Sequence, residues 1–379
     1  MNFPKKLADK LETRKQNQSL RSLPKANDLT DFASNDYIGF SKSEAIFDAT
    51  HQFLLDKNIK NNGATGSRLI SGNHSLYTET ENYIAQFHQA ESALLFNSGY
   101  DANVGFFSSV PQRSDIILYD ELCHASIRDG IQLSNTKSYK FKHNDFEDLE
   151  LLIQRNSDVL IYVVTESVFS MDGDCPNMEE LTILTEKYNC YLVVDEAHAL
   201  GVFGDKGEGL IQYLNLQDKV FARIMTFGKG LGCHGAAVVG SQQLNTYLLN
   251  FARSFIYTTG LSPHSVATIL IGYQYLEKDK SAMEMLRENI IFFNQVKKMQ
   301  HLSPLFIRSK SAIQSVIIPG NEKVKNIASA LQKEGFDGKA ILSPTVPEGQ
   351  ERLRFCLHNY NSKEEITRLL TLLGSFVYA

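Results

Sequence analysis

Six short apolar runs between residues 92 and 241 constrain the fold more than any other feature of the sequence. The runs are rich in β-branched residues and alternate with stretches of helical spacing; they read SALLFN, DIILYD, VLIYVVTES, CYLVVDEA, ARIMTFG and AAVVGS. Near-continuous apolar strands that alternate with helices are typical of a mostly parallel sheet covered on both faces. The pattern therefore predicts an α/β fold with such a sheet at its centre.

The flanking sequence predicts two further parts. Residues 5–20 have helical spacing and many charges, which predicts an exposed helix within an N-terminal segment, residues 1–35. Residues 36–280 form the predicted large domain. After about residue 281 the pattern changes to helix, strand, helix, strand and helix, so we expect a smaller α+β domain over residues 281–379.

Composition indicates the class of protein and the compartment in which it works. The chain has 379 residues, of which 43% are hydrophobic and 21% charged, as in ordinary globular proteins. Its five scattered cysteines form no C-x-x-C pair, which argues against a disulfide framework or a zinc site. The charged N-terminus lacks the apolar core of a signal peptide, and no apolar run is long enough to span a membrane. We expect a cytoplasmic protein without a metal site.

The letters DEAH at residues 195–198 also occur in the magnesium-binding box of ATP-driven helicases. Such a motor needs the loop G-x-x-x-x-G-K-[ST], whose backbone and lysine cradle the phosphates. The G-K pairs at residues 228–229 and 338–339 lack both the upstream glycine and the following hydroxyl. The net charge of −5 also provides no positive field for a polyanion, so a role without nucleic acid is favoured.

Four of the apolar runs end in polar or glycine-containing segments, which read FNSGYDAN, TESVFSMDGD, VVDEAHALG and TFGKGLG. In open α/β sheets, ligands bind at the carboxyl ends of the strands. We therefore expect these four segments to converge on one site.

Lys229 lies between Gly228 and Gly230, just after an apolar run. A partly desolvated ε-amine at such a point suits Schiff-base chemistry, although a solvated loop lysine fits the same letters. The pattern G-x-G-x-x-G also occurs over residues 230–235. A strand rather than a helix follows it, and residues 245–252 contain no acidic residue, so dinucleotide binding is disfavoured.

The other three segments supply complementary groups. Asp195 closes an apolar run and can hold the proton of a pyridine nitrogen, or it can cap a following helix. Gly99 and Tyr100 precede a helical stretch, whose N-terminus can hold a phosphate. His124 has the flat ring needed to stack on an aromatic cofactor, and it also fits a surface or helix-start position. With Lys229, these groups are the parts of a pyridoxal-phosphate site.

The chain resembles the α-oxoamine synthases of fold-type I, and among them the branch that forms 8-amino-7-oxononanoate in biotin biosynthesis. The match covers nearly the whole chain in family order, through SNDYIGF, GSRLISGNHSLYTETE, HASIRDG, TESVFSMDGD, VVDEAHALGVFGDKGEG, TFGKGLG and SPTVPEGQERLR. The resemblance implies a pyridoxal-phosphate-dependent transferase that works as a homodimer with shared active sites.

The resemblance also implies a role for each matching residue. Lys229 would carry the cofactor as a Schiff base and move the proton at the substrate α-carbon. Asp195 would pair with the ring nitrogen, and His124 would stack on the ring. Further implied cofactor contacts are Gly99, Tyr100, Ser170, His198 and Thr226, and His198 is also implied in catalysis. Thr258 or Thr259 would reach the cofactor phosphate of the partner subunit. The implied substrate contacts are Arg21, Asn35, Thr345 and Arg354.

The implied reaction joins L-alanine to pimeloyl-CoA or pimeloyl-acyl carrier protein and gives 8-amino-7-oxononanoate, CO2 and a free thiol. The activities of 2-amino-3-ketobutyrate ligase, 5-aminolevulinate synthase and serine palmitoyltransferase remain open within the family, as does a catalytically silent relative. One departure concerns the acyl substrate: many relatives carry arginine where this chain has Leu342. Acyl chain length and carrier therefore stay open.

Overall fold

The structure is a computed structural model of the chain, and it describes residues 3–17, 19–23 and 28–378. These residues form two compact units. The large unit contains residues 35–170 and 175–284, and the small unit contains the described parts of residues 1–34, 171–174 and 285–379. Within the described part of the chain, no helix has the length and apolar character needed to cross a bilayer.

A seven-stranded sheet forms the centre of the large unit. In chain order its strands are β1 (Ser92–Phe96), β2 (Ile116–Asp120), β3 (Lys137–Phe141), β4 (Ile161–Glu166), β5 (Tyr191–Asp195), β6 (Ala222–Thr226) and β7 (Ala236–Gly240). Their spatial order is β1-β7-β6-β5-β4-β2-β3. Strand β7 runs antiparallel to both of its neighbours, and the remaining pairs are parallel. The predicted mostly parallel sheet is confirmed.

Each of the six apolar runs contains one strand, whereas β3 is not predicted by the sequence pattern. Strand β3 lies at one end of the sheet and exposes Lys137 and Lys140. Lysine on an edge strand opposes pairing with other chains, and it also removes the apolar pattern by which a buried strand is identified.

Helices connect the strands of the large unit. They are Glu44–Asp56, Ser75–Phe87, Gly99–Ser109, Ala125–Leu133, Phe146–Gln154, Met178–Lys187, Leu210–Tyr213, Gln242–Phe251, Arg253–Ile256 and Pro263–Lys278, with 3-10 turns at Phe40–Lys42 and Gln217–Lys219. Side-chain caps begin several of these helices, since Ser43, Ser98, Asp145, Asn177, Ser241 and Ser262 each accept a backbone N–H of the first turn.

The core of the large unit fixes the helix Gly99–Ser109 against the sheet. Phe106 and Phe107 of this helix belong to one buried apolar cluster with Ile117 of β2 and Val164 of β4. Burial of each such side chain stabilises the fold by roughly 1.5–3 kcal/mol. The first turn of the helix is thereby held just beyond the carboxyl end of β1.

The small unit combines two short sheets with helices. Strands Lys339–Ile341, Arg352–Cys356 and Ile313–Ile317 form an antiparallel sheet in that order, and Thr30–Asp31 pairs in parallel with Phe336–Asp337. The helices are Lys5–Gln16, Asn321–Lys333 and Lys363–Tyr378, with a 3-10 turn at Ser303–Leu305; the helix Ser281–Met299 begins in the large unit and ends in the small one. The N-terminal helix ends at Gln16 rather than at the predicted residue 20, because the N–H of Ser19 bonds to the carbonyl of Arg14.

Candidate active site

The four polar segments meet at one edge of the large sheet. Strands β1, β4, β5 and β6 all point the same way, so their carboxyl ends share that edge. Gly99 follows β1, half-buried Ser170 follows β4, Asp195 ends β5 and Thr226 ends β6. The structure therefore brings these predicted site residues together.

The carboxylate of Asp195 is buried and accepts two hydrogen bonds. It is 5% exposed. Its Oδ1 accepts the N–H of Ala197 at 2.9 Å, and its Oδ2 accepts the amide Nδ2 of Asn103 at 2.8 Å. The next helix begins only at Leu210, so Asp195 holds a turn and does not cap a helix. A fixed anion at a strand end can form a charge-assisted hydrogen bond with a cationic ring nitrogen.

His124 is a helix-start residue, as the alternative interpretation of the sequence expects. It is the N-cap of the helix Ala125–Leu133, and its Nδ1 accepts the N–H of Ser126 at 3.2 Å. The residue is nevertheless exposed, which leaves a ring face available for stacking. Partial desolvation lowers the pKa of His124; Asp195 opposes this effect and the Lys229 ammonium adds to it.

His198 is buried in the turn that follows β5. Its Nδ1 lies 2.6 Å from the hydroxyl of Tyr37, and that hydroxyl donates to Oδ1 of Asn35 at 3.2 Å. The predicted substrate contact Asn35 and the predicted cofactor contact His198 are thus joined through one tyrosine.

The loop between β6 and β7 holds Lys229, which is half-buried. A Cβ atom on Gly230 would overlap the carbonyl oxygen of Leu200, and one on Gly232 would overlap the backbone of Ser41. Gly232 also has φ 64°, a conformation that favours glycine. Gly230 therefore lets the lysine loop pack closely against the turn that contains His198, and Gly232 lets it pack against the backbone at Ser41.

Gly99 lies in close contact with the side chain of Thr226. A Cβ atom there would overlap Oγ1 of Thr226. Ser98 caps the helix by accepting the N–H of Asp101 at 3.0 Å, which leaves the N–H groups of Gly99 and Tyr100 in a turn without intrahelical acceptors. The Tyr100 hydroxyl donates to a carboxylate of Asp129, away from that turn. A helix N-terminus of this kind binds phosphate.

Thr258 and Thr259 lie beside the residue that follows β1. The Nδ2 group of Asn97 donates to Oγ1 of Thr258 at 3.1 Å and to the carbonyl of Thr259 at 2.7 Å. The expectation that one of these threonines reaches the cofactor of a partner subunit stays a prediction.

The three other predicted substrate residues lie in the small unit. Arg21 and Thr345 line one cavity of about 610 Å³, and Leu342 lines it as well. The cavity is also lined by Arg14, Lys325 and Lys339. Arg354 is buried on the central strand of the three-stranded sheet, where its partner in register is Ser315.

Residues 27–373 match the family described as aminotransferase class I and II. The chain belongs to this family. The 8-amino-7-oxononanoate synthase of Emericella nidulans is 39% identical over 97% of this chain and 93% of the relative. A solved structure of 8-amino-7-oxononanoate synthase from Francisella tularensis has a TM-score of 0.80 at 28% identity and covers 93% of this chain and 99% of that one. A solved structure of serine palmitoyltransferase with pyridoxal phosphate has a TM-score of 0.86 at 26% identity, over 92% and 87% of the two chains.

These similarities establish an enzyme of the α-oxoamine synthase group with pyridoxal phosphate as cofactor. The site geometry fits that group. The close contact of Gly99 with Thr226 places a helix N-terminus for the phosphate. Asp195 offers a buried anion, His124 an exposed aromatic ring and Lys229 a primary amine. These are groups that could pair with the cofactor's ring nitrogen, stack on its ring and react with its aldehyde.

The sequence pattern missed several groups in the site, among them Glu166. Its Oε1 accepts the N–H of His124 at 2.6 Å. Burial raises the pKa of Glu166 to about 8; the nearby Asp195 contributes to the increase, and the Lys229 ammonium opposes it. The only available signal was an acidic residue at the end of an apolar run, which is the signal that identified Asp195.

We expect Glu166→Gln to change how stability depends on pH. Glu166 loses its proton near pH 4.5 when unfolded and at about pH 8 when folded, so the folded state binds more protons between these values and wild-type stability falls as pH rises through them. Glutamine mimics the protonated carboxyl group and does not titrate. The stability of the variant relative to wild type should therefore increase between about pH 5.5 and about pH 8, because only wild type loses stability through this group as pH rises.

Thermal or urea unfolding of the enzyme without added cofactor, in which Lys229 keeps a free amine, measures this difference at about pH 5.5 and about pH 8. Glu196→Gln is the matched control, because Glu196 is equally buried but lies 3.9 Å from the Arg223 guanidinium. The control should lose stability at both pH values, since it leaves a buried cation unpaired. A Glu166→Gln variant with the pH slope of wild type would contradict the expectation.

Proposed function

We propose that this enzyme condenses L-alanine with pimeloyl-CoA or pimeloyl-acyl carrier protein to give 8-amino-7-oxononanoate, CO2 and a free thiol. The observation that carries the proposal is full-length similarity to an 8-amino-7-oxononanoate synthase. The convergence of Lys229, His124 and Asp195 at one sheet edge supports it.

Pyridoxal phosphate, when bound, supplies an electron sink for the negative charge that develops at the amino acid α-carbon. The amine of Lys229 would remove the α-proton and later return a proton to the same carbon. The carboxylate of Asp195 would keep the proton on the ring nitrogen. His124 would hold the ring in place, and His198 with Ser170 would orient its phenolic oxygen. These groups are fixed before the reaction starts, so little reorganisation is needed.

The substrates require separate recognition. We propose that Arg354 binds the carboxylate of alanine, for which a planar guanidinium offers two parallel donors, and that Asn35 assists it. We assign the cavity with Arg21, Leu342 and Thr345 to the acyl thioester. Its lining includes four basic residues and, among the described residues, no carboxylate, which suits an anionic acyl terminus or carrier.

We also propose that the enzyme is a cytoplasmic homodimer in which Thr258 or Thr259 contributes to the partner's site. Light scattering of the holoenzyme would test the assembly, and a monomer at assay concentration would contradict it.

The substrate assignment is tested by a matrix of alanine, glycine and serine against pimeloyl, acetyl, succinyl and palmitoyl thioesters, with CO2 and thiol release measured together. The pimeloyl group should be offered on both coenzyme A and acyl carrier protein. Alanine with a pimeloyl thioester should give the highest kcat/KM. Preference for glycine with acetyl or succinyl, or for serine with palmitoyl, would replace the proposal by another α-oxoamine synthase activity.

Arg354→Ala is expected to raise the KM for alanine by about 10- to 150-fold, because a charge-assisted contact with a carboxylate contributes roughly 1.5–3 kcal/mol. Arg354→Lys is the matched variant. It keeps the charge but loses the bidentate geometry, so its KM for alanine should lie between the values of wild type and of Arg354→Ala. Steady-state kinetics at saturating thioester measure both. An unchanged KM for alanine in Arg354→Ala would remove this residue from the site.

A further inference from the structure

A continuous chain of hydrogen bonds joins Asp195 to His124. Asn103, one turn into the helix Gly99–Ser109, donates its Nδ2 to Oδ2 of Asp195 at 2.8 Å and to Oγ of Ser126 at 3.0 Å. The same Oγ lies 2.8 Å from Nδ1 of His124. Asn103 and Ser126 are 2% and 1% exposed, so water does not compete for these bonds.

The direction of each proton follows from the chemistry of the groups. An ionised carboxylate only accepts, so the amide of Asn103 must present its NH2 group to Asp195. Both amide protons are then used, one on Asp195 and one on Ser126. Because Oγ of Ser126 accepts from Asn103, its own proton is available to Nδ1 of His124, which also accepts the backbone N–H of Ser126 at 3.2 Å. Nδ1 is therefore an acceptor, and the neutral ring carries its proton on Nε2.

Stability alone does not explain Asn103. Its Oδ1 is buried without a hydrogen-bond partner. A buried acceptor without a partner costs free energy that an apolar side chain would avoid. The amide of Asn103 instead donates two hydrogen bonds, to Asp195 and to Ser126, which an apolar side chain could not form.

We propose that Asn103 and Ser126 are positioning residues that hold the Asp195 carboxylate and keep neutral His124 in the tautomer with its proton on Nε2. The single amide of Asn103 thereby positions the Asp195 carboxylate for the ring nitrogen of the cofactor. Through Ser126 it also fixes which nitrogen of His124 carries the proton. This inference rests on the proposed site, in which Asp195 and His124 contact the cofactor.

The tautomer of His124 gives a readout that does not depend on any substrate. In holoenzyme labelled with nitrogen-15 histidine, long-range proton–nitrogen spectra distinguish a protonated from an unprotonated ring nitrogen, and His124→Gln identifies the signal among the ten histidines. Wild type should show Nε2 protonated and Nδ1 unprotonated. Ser126→Ala removes the hydroxyl donor, and Asn103→Ala releases that hydroxyl. In both variants the longer bond from the Ser126 backbone N–H is then the fixed donor to Nδ1, so a larger share of the tautomer with its proton on Nδ1 should appear than in wild type.

Exchange of the alanine α-proton with solvent deuterium gives a second readout. Asn103→Ala should slow exchange by about 10- to 150-fold, the range for loss of a hydrogen bond to a charged group. Ser126→Ala loses hydrogen bonds between neutral groups, so it should slow exchange by about 2- to 10-fold. Asn245→Ala is the matched control. Asn245 is also buried, also donates its Nδ2 to a serine, Ser92, at 2.6 Å, and also has a buried Oδ1 without a partner, but Ser92 begins β1 at the opposite sheet edge. The Asn245→Ala variant should lose about as much thermal stability as Asn103→Ala. It should change neither the tautomer of His124 nor the rate of α-proton exchange.

Two results would overturn the inference: a proton on Nδ1 of His124 in wild type, or variants that alter tautomer and exchange no more than Asn245→Ala does. If Asn103→Ala does not fold, Ser126→Ala alone provides the test. A holoenzyme that shows the expected tautomer but accepts neither alanine nor a pimeloyl thioester would refute the proposed substrates and leave this inference standing.

Discussion

Lys229→Ala should reduce turnover by at least about 10⁴-fold, because in the proposed mechanism one amine both attaches the cofactor and moves the α-proton. Borohydride reduction of the wild-type holoenzyme, followed by peptide mass mapping, should place the pyridoxyl group on Lys229. The variant should carry no such adduct while its fold, measured by circular dichroism, is unchanged.

Lys219→Ala is a suitable control for this experiment. Lys219 belongs to the same unit and forms an exposed ion pair with Glu186 at 2.9 Å, which contributes little to stability. Its variant should keep both the adduct and the activity. An adduct on any lysine other than Lys229 would contradict the assignment.

The parts of the fold that the sequence predicts are those in which local pattern and tertiary environment agree. Strands β4 and β5 are almost entirely buried, so most of their residues are apolar. The edge strand β3 is largely exposed, and the strand Lys339–Ile341 has three residues, of which Lys339 is exposed and the other two are half-buried. Neither strand has the apolar period by which a strand is recognised in a sequence. No pattern of hydrophobic residues could have identified either one.

The same distinction applies within the site. Lys229 and Asp195 are recognisable because Asp195 closes an apolar run and Lys229 follows one, and the carboxyl ends of such runs meet in any parallel sheet. Asn103 carries no comparable signal: it lies on a helix, and its two partners are 23 and 92 residues away along the chain. The raised pKa of Glu166 likewise arises from burial beside Asp195, which only the packed structure creates.

Asp195→Asn is the sharpest test of the electrostatic role of the turn after β5. The substitution removes the charge that would keep the ring nitrogen protonated, and preorganised charges of this kind commonly contribute about 10²- to 10³-fold to kcat. It also disturbs the hydrogen bonds, since both the Ala197 N–H and the Asn103 amide donate to Asp195. An asparagine accepts at only one end, so one of these donors would face another N–H group.

The exchanged pair Asn103→Asp with Asp195→Asn separates these two effects. The double variant restores a donor and an acceptor between positions 103 and 195, but it moves the negative charge from the end of β5 to the helix Gly99–Ser109. It also ends the donation from position 103 to Ser126, a loss that Ser126→Ala measures by itself. If the charge at position 195 is required, the pair should recover thermal stability relative to Asp195→Asn while α-proton exchange of alanine stays at least about 10²-fold below wild type. Recovery of exchange together with stability would show that Asp195 acts through its hydrogen bonds alone, and the proposed pairing of its carboxylate with the ring nitrogen would then be wrong.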